Sequence, residues 1–258
     1  MITWGSRIFS ASNPEKLDFQ CLRYVVSTAS DGNIGLHTEL SVQDAIRNRQ
    51  ILLQRYGLKL EHLVAMEQVH GANIVRVDER DMGKGSTSMI DAIAKTDALI
   101  TSSKNIILLA QGADCPLCWV FDPAHEAIGV AHSGWRGTIR GIIPRMIEQM
   151  SQEYGTNPSS VWAQVSPCAG SCCYEVGDDV AENFRDTRFL EASRKGVRSL
   201  NIKKAIEQQL LDAGVPWEQT EMSEICTICD ERYFSYRRDQ TQAGRFGLFA
   251  WLRSESLV

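Results

Sequence analysis

Cysteine and histidine are the side chains in this sequence best suited to chemistry, and they are densest between Gln111 and Gly137. That stretch holds Cys115, Cys118, His125, His132 and Arg136. Two apolar runs, Leu117–Phe121 and Ala127–Ala131, flank Asp122-Pro123-Ala124-His125. Asp followed by Pro suits the start of a type I turn, so the stretch predicts a hairpin closed by a short loop. A turn centred between Pro123 and Ala124 sets Cys115 opposite His132, with Cβ atoms roughly 4.5–5.5 Å apart. A thiolate and an imidazole so placed can share a metal ion or act as nucleophile and base.

A metal needs a third ligand. His37, His62, His70, His125 or another cysteine could supply it. His70 precedes Gly71 and the strand-like run Ile74–Val77, and a glycine there lets a ligand or another backbone approach closely. Cys115-Pro116-Leu117-Cys118 has thioredoxin spacing, but its second half reads as a strand, where residues three apart face opposite ways. Cys226-Thr227-Ile228-Cys229 could join it in a structural zinc site, although the long separation argues against a compact module. Cys172 and Cys173 read as small buried packing residues. Cys118, Cys226 and Cys229 are thus expected to be dispensable for a site holding one metal per chain. Arg136, between Gly134-Trp135 and Gly137 and just ahead of a helix, forms an anion-friendly corner. The run Tyr233 to Asp239 sets aromatic faces beside Arg237 and Arg238, which suits a flat heterocycle and an anion.

The elements that must carry these residues are legible in outline. Helical spacing of Val42, Ala45, Ile46, Leu52, Leu53 and Tyr56 predicts a helix over 42–56, capped by Ser41 with Asp44 and ended by Gly57. Another fits 138–153, with Pro144 kinking or shifting it. Shorter helices fit Asp178–Arg185 and Leu200–Ala213. Strand-like runs are Ile74–Val77, Ala98–Thr101, Ile106–Ala110, Leu117–Phe121, Ala127–Ala131, Val161–Val165 and Phe246–Trp251. They outnumber the helices without alternating strictly with them, which argues for α+β or mixed α/β with largely antiparallel sheets. The stretch Asp78–Lys95 reads as a flexible surface loop. Its Gly83-Lys84-Gly85-Ser86 lacks the spacing of a phosphate loop. No linker composition interrupts the chain, so residues 1–258 read as one domain.

The chain has 258 residues, 43% hydrophobic and 23% charged, with net charge -5. That supports a sizeable core and argues against a nucleic-acid surface, which needs excess cations. No run approaches the ~20 apolar residues of a membrane helix. Met1–Arg7 lacks the charged start and apolar core of a signal peptide. Eight cysteines are too dilute for a disulfide scaffold, so a reduced, cytoplasmic setting is expected.

Six blocks resemble the YfiH family, also called the laccase-domain or multicopper polyphenol oxidoreductase family, to which the mammalian laccase-domain protein FAMIN is related. They are Gln68-Val69-His70-Gly71, Thr96-Asp97-Ala98-Leu99, Ala113-Asp114-Cys115-Pro116, Ala131 to Thr138, Cys173-Tyr174-Glu175-Val176-Gly177 and Phe234 to Asp239. They run in family order from about residue 30 onward. Ser133, Ser166-Pro167-Cys168-Ala169 and Asn201 depart from the family's pattern, and none is a metal ligand.

The resemblance implies a single mixed α/β domain of stacked sheets flanked by helices, like YfiH and the cytotoxic necrotising factor catalytic domain. It implies zinc on His70, Cys115 and His132, with copper as a substitute. It also implies phosphorolysis of adenosine, inosine and methylthioadenosine, and deamination of adenosine. Peptidoglycan-precursor editing by an amidase is the alternative. Copper-dependent polyphenol oxidation and a non-enzymatic binding role are further readings. Cys115 and His132 are the expected catalytic groups, with Asp114 as a proton-transfer group or as support behind a ligand. Arg136 is the expected phosphate contact, Arg49 a second candidate, and Tyr236 a base-stacking face. Laccase-type centres consume many histidines and the sequence has five, which disfavours multicopper oxidation.

Overall fold

The computed structural model describes residues 21–253. The reading of Met1–Arg7 therefore lies outside the described residues.

Apolar residues in the central strands run without interruption because both faces of each sheet are covered. In chain order the strands are β1 (Leu22–Val26), β2 (Leu63–Ala65), β3 (Ile74–Arg76), β4 (Ala98–Thr101), β5 (Ile107–Gly112), β6 (Leu117–Asp122), β7 (Ala127–His132), β8 (Trp162–Val165), β9 (Leu190–Ala192), β10 (Arg198–Leu200), β11 (Thr220–Met222) and β12 (Phe246–Leu252). The helices are α1 (Val42–Gln54), α2 (Trp135–Ile139), α3 (Ile142–Tyr154), α4 (Asp178–Ala181), α5 (Ile202–Asp212) and α6 (Tyr236–Asp239). One sheet has the order β1-β12-β5-β2 and a larger one β11-β8-β6-β7-β4-β3, with β9 and β10 pairing separately. Both large sheets are mixed: their central pairings are antiparallel, whereas β2–β5, β3–β4 and β8–β11 are parallel.

Period-2 alternation sorts side chains into layers. Leu108 and Ala110 of β5 meet Trp119, Phe121 and Val130 of the other sheet in the central core. Ile107 and Leu109 face the opposite way, onto Leu52 and Leu53 of α1. Cys118 and Val120 face Met146, Ile147 and Ile206 of α3 and α5. The result is a four-layer stack: α1, a four-stranded sheet, a six-stranded sheet, then α3 and α5.

Several expectations need correction. The predicted helix over 138–153 is two helices. The break falls at Gly141, whose φ of +69° is left-handed, and Pro144 then sits in the first turn of α3, where no intrahelical N–H is required. The predicted Asp178–Arg185 helix is only the four-residue α4. Asn201 caps α5, accepting from the Lys204 amide. Strands β1, β2, β9, β10 and β11 were not anticipated. The 78–95 stretch is not a loose loop: Ser86 is buried, and the Lys84 carbonyl accepts from the Ala65 amide.

The hairpin register also differs. The loop is Pro123 to Glu126, and Leu117, not Cys115, lies opposite His132. The turn is centred one residue later than expected because Glu126 takes a positive φ of 46° at its end. Cys115 stands in the loop before β6, beyond the paired strand.

Candidate metal centre

Despite that register, Cys115 and His132 meet, and His70 joins them. Their ligand atoms all lie within 4.8 Å of one another. Three segments deliver them: His132 ends β7, Cys115 leads into β6, and His70 lies in the loop before β3. The two imidazoles stand edge to face with centroids 4.8 Å apart.

One buried carboxylate organises the two histidines. Asp97 Oδ1 lies 2.9 Å from His132 Nδ1. The same side chain accepts from the amides of Val69 (3.2 Å), His70 (3.1 Å) and Gly71 (2.7 Å). Three convergent N–H groups make a small anion nest, and the carboxylate in it offsets the positive φ of 55° at His70. Holding Nδ1–H of His132 leaves Nε2 as its ligand atom, the usual role of a carboxylate behind a metal-binding histidine. Sequence reasoning missed Asp97, although it lies in a quoted block. The signal was a lone acidic residue immediately before the buried strand β4.

The charges suit a cation. Burial alone would raise the Cys115 thiol, but the neighbouring His132 charge and hydrogen bonds from both imidazoles hold it down at about 6. Burial would lower His132, but the Cys115 thiolate and Asp97 raise it to about 9. Cys115 is therefore poised as a thiolate, the form that binds metals. Thiolate plus two imidazoles, with no fourth protein ligand among the described residues, is the open set of a catalytic site.

Gly134 closes the floor of this site. A Cβ there would lie 3.0 Å from His70 Nδ1 and 3.1 Å from Cys115 Sγ. Gly134→Ala is expected to lower metal affinity roughly tenfold while leaving the thermal melt nearly unchanged. A metal titration beside a melting curve checks this, and unchanged affinity would mean that the floor yields.

The other expected residues fall into two groups. Arg136 is exposed, as the second residue of α2 and not ahead of a helix, with its guanidinium 4.1 Å from the Trp135 ring centroid. It makes no ion pair among the described residues. Because α2 has five residues, the anion-friendly character of this corner rests on the guanidinium more than on a helix dipole. Tyr236 is also exposed, beside Arg245. Arg245 in turn lies within electrostatic reach of Cys115 and Asp114. His37 lies outside the ligand cluster, and desolvation followed by the nearby charges of Arg245, Arg49, His132 and His70 lowers it to about 4.

Arg49 corrects the expectation of a phosphate contact. It is wholly buried, donating to the carbonyls of Ile34, Gly85 and Ser86 and to Gln111 Oε1. It ties α1 to the 78–95 stretch. Asp114 is likewise fully engaged. Its carboxylate accepts from Thr227 Oγ1 (2.7 Å), Ser235 Oγ (3.0 Å) and the Arg237 amide (2.6 Å), so it supports the Cys115 loop and is not a free proton carrier. His125 pairs with Asp122 at the far end of the hairpin. Cys118 faces the opposite layer, its thiol raised to about 12 by burial, which separates it from Cys115 as the strand reading requires. Cys172 and Cys173 are not core residues. They converge with Cys226 and Cys229.

Fold and site together define a mixed α/β protein with a candidate His–Cys–His metal centre. The chain belongs to the multi-copper polyphenol oxidoreductase laccase family, whose model matches residues 24–253. It is 36% identical over 230 residues to the purine nucleoside phosphorylase YlmD of Geobacillus stearothermophilus, covering 86% of this chain and 84% of that protein. It is 30% identical to the adenosine deaminase RL5 of an unknown prokaryotic organism, covering 80% of each. The crystal structure of the hypothetical protein YfiH from Bacillus licheniformis matches with a TM-score of 0.85 at 30% identity, covering 90% of this chain and 93% of that one.

Proposed function

We propose that this chain is a zinc-dependent purine nucleoside enzyme of the cytoplasm. It would cleave adenosine, inosine and methylthioadenosine with phosphate and deaminate adenosine. The convergence of His70, Cys115 and His132 carries this reading, and relatives named for both activities support it. The donor set fits zinc: one thiolate, two imidazoles and a carboxylate behind one of them. Copper also binds such sites tightly, as a substitute. Multicopper oxidation finds little support, since only two of the sequence's five histidines join the cluster.

When bound, zinc supplies Lewis acidity and an acidified water at its open position. The protein's own groups do the rest. Asp97 fixes the His132 tautomer, and Gly134 keeps the floor clear. Arg136 would hold phosphate for attack on the ribose C1′, releasing the purine and ribose 1-phosphate. Tyr236 would stack on the base. In deamination, water replaces the 6-amino group of adenosine, and inosine and ammonia leave.

A charge-assisted contact to an anion is worth about 1.5–3 kcal/mol, so Arg136→Ala should raise the phosphate KM about tenfold or more. Zinc content should stay unchanged. Steady-state kinetics against phosphate test this, and an unaltered phosphate dependence would remove Arg136 from the site.

A further inference from the structure

Away from the His–Cys–His centre, four cysteines gather that the proposed reaction does not use. The ligand atoms of Cys172, Cys173, Cys226 and Cys229 all lie within 4.8 Å of one another. Cys229 Sγ is 3.7 Å from Cys172 Sγ and 3.2 Å from Cys173 Sγ. Four sulfurs at about 2.3 Å from a central zinc stand roughly 3.8 Å apart, and these four, all within 4.8 Å of one another, are close enough to reach one such ion. A disulfide needs two convergent sulfurs. Four on one centre is the requirement of a metal.

The local backbone is built for that convergence. Cys226 to Cys229 close a turn in which the amides of Cys229 and Asp230 both donate to the Cys226 carbonyl. Cys172 and Cys173 lie in a second turn, where the amides of Cys173 and Tyr174 donate to the Gly170 carbonyl. Neighbouring residues of a tight turn can aim at one centre, whereas in a strand they would diverge. The Gly170 amide donates to Cys226 Sγ at 3.2 Å, the kind of contact that stabilises a thiolate. Arg238 Nη1 donates to the carbonyls of Thr227 and Ile228, setting a positive charge against the Cys226–Cys229 turn.

We propose that Cys172, Cys173, Cys226 and Cys229 hold a second, structural zinc ion. Each thiol that ligates gives up its proton to solvent, and no oxidant or reductant is involved. The set is closed, with no position for substrate. Its role follows from what the two turns touch. The segments that carry them are joined by parallel backbone pairing of Cys168 with Cys226, in which the Cys168 amide donates to the Ile225 carbonyl and the Thr227 amide to the Cys168 carbonyl. Ala169 donates to the Asp114 carbonyl, and Thr227 to its carboxylate. The second ion therefore pins the two segments that grip Asp114, immediately beside Cys115.

The inference stands apart from the nucleoside reading, and metal counting separates the two. Wild-type protein purified in the presence of zinc should contain two zinc ions per chain. The double variant Cys226→Ser/Cys229→Ser should contain one, and His70→Ala/His132→Ala should also contain one. In the latter, cobalt substitution should give the intense absorption of a four-thiolate tetrahedral site. Should the cysteine variant fail to fold, mercurial titration of native wild type still decides, because blocking the thiols should release two zinc ions per chain. One ion per chain in wild type, an undiminished count in the cysteine variant, iron in place of zinc, or a disulfide among these cysteines would each overturn the proposal.

Discussion

Cys115→Ala protein is expected to turn over adenosine no faster than a blank, with or without phosphate, and to lose the zinc of the His–Cys–His centre. The thiolate is one of three ligands and the only anionic one, and alanine offers no donor. Structural zinc sites bind with about 10–16 kcal/mol across four ligands, so one ligand accounts for roughly 3 kcal/mol. On that scale affinity falls about a hundredfold or more. Any role of Cys115 as a nucleophile is lost with it. His125→Ala is the control, because His125 is held by Asp122 at the far end of the hairpin. It should keep both metal and activity. Adenosine turnover that survives Cys115→Ala would trace to a contaminating enzyme or place the chemistry elsewhere.

The second large effect belongs to a residue that touches no metal. Asp97→Asn should lower zinc affinity about 10–100-fold, the usual cost of losing a carboxylate behind a ligating histidine. The side chain is fully buried, and its two oxygens serve four N–H groups. An asparagine replaces one of those oxygens with an NH2 group, so a donor must face either the Val69 and Gly71 amides, which Oδ2 serves, or the His70 amide and His132 Nδ1, which share Oδ1. The first choice loosens the loop on either side of His70, and the second both releases the strained His70 amide and turns the His132 ring. Activity should return as zinc is added, separating weakened affinity from lost chemistry. Unchanged affinity with a lowered melting temperature would give Asp97 a purely architectural role.

The sequence announced some of this geometry and concealed the rest, for identifiable reasons. Long apolar strands such as β5, β6, β7 and β12 stood out because both their faces are buried. Three-residue strands such as β2, β3 and β11 are too short for any period to show fully, and only β3 was anticipated. The meeting of Cys115 and His132 was foreseen through a register that proved wrong by one turn position. It survives because the loop from Ala113 to Pro116, with Asp114 at a φ of 88°, carries the cysteine back over the strand end. His70 had no local mark beyond its glycine and was assigned through the resemblance. Asp97 acts by long-range closure onto residues 69–71, which no local pattern encodes. The four-cysteine cluster was missed because its halves lie far apart in sequence and meet through long-range backbone pairing of Cys168 with Cys226. Arg49 on α1 read as a second candidate for the phosphate contact, and only the buried carbonyls of Gly85 and Ser86 give its structural role.

One incubation tests the central claim most directly. Zinc-loaded wild-type protein is given adenosine, with and without phosphate, and the products are separated and counted. With phosphate, adenine and ribose 1-phosphate should appear together in equal amounts, alongside some inosine. Without phosphate, adenine release should stop and inosine formation should continue, because only the first reaction consumes phosphate. No turnover of any nucleoside by zinc-replete protein, with cleavage of a peptidoglycan precursor instead, would contradict the account.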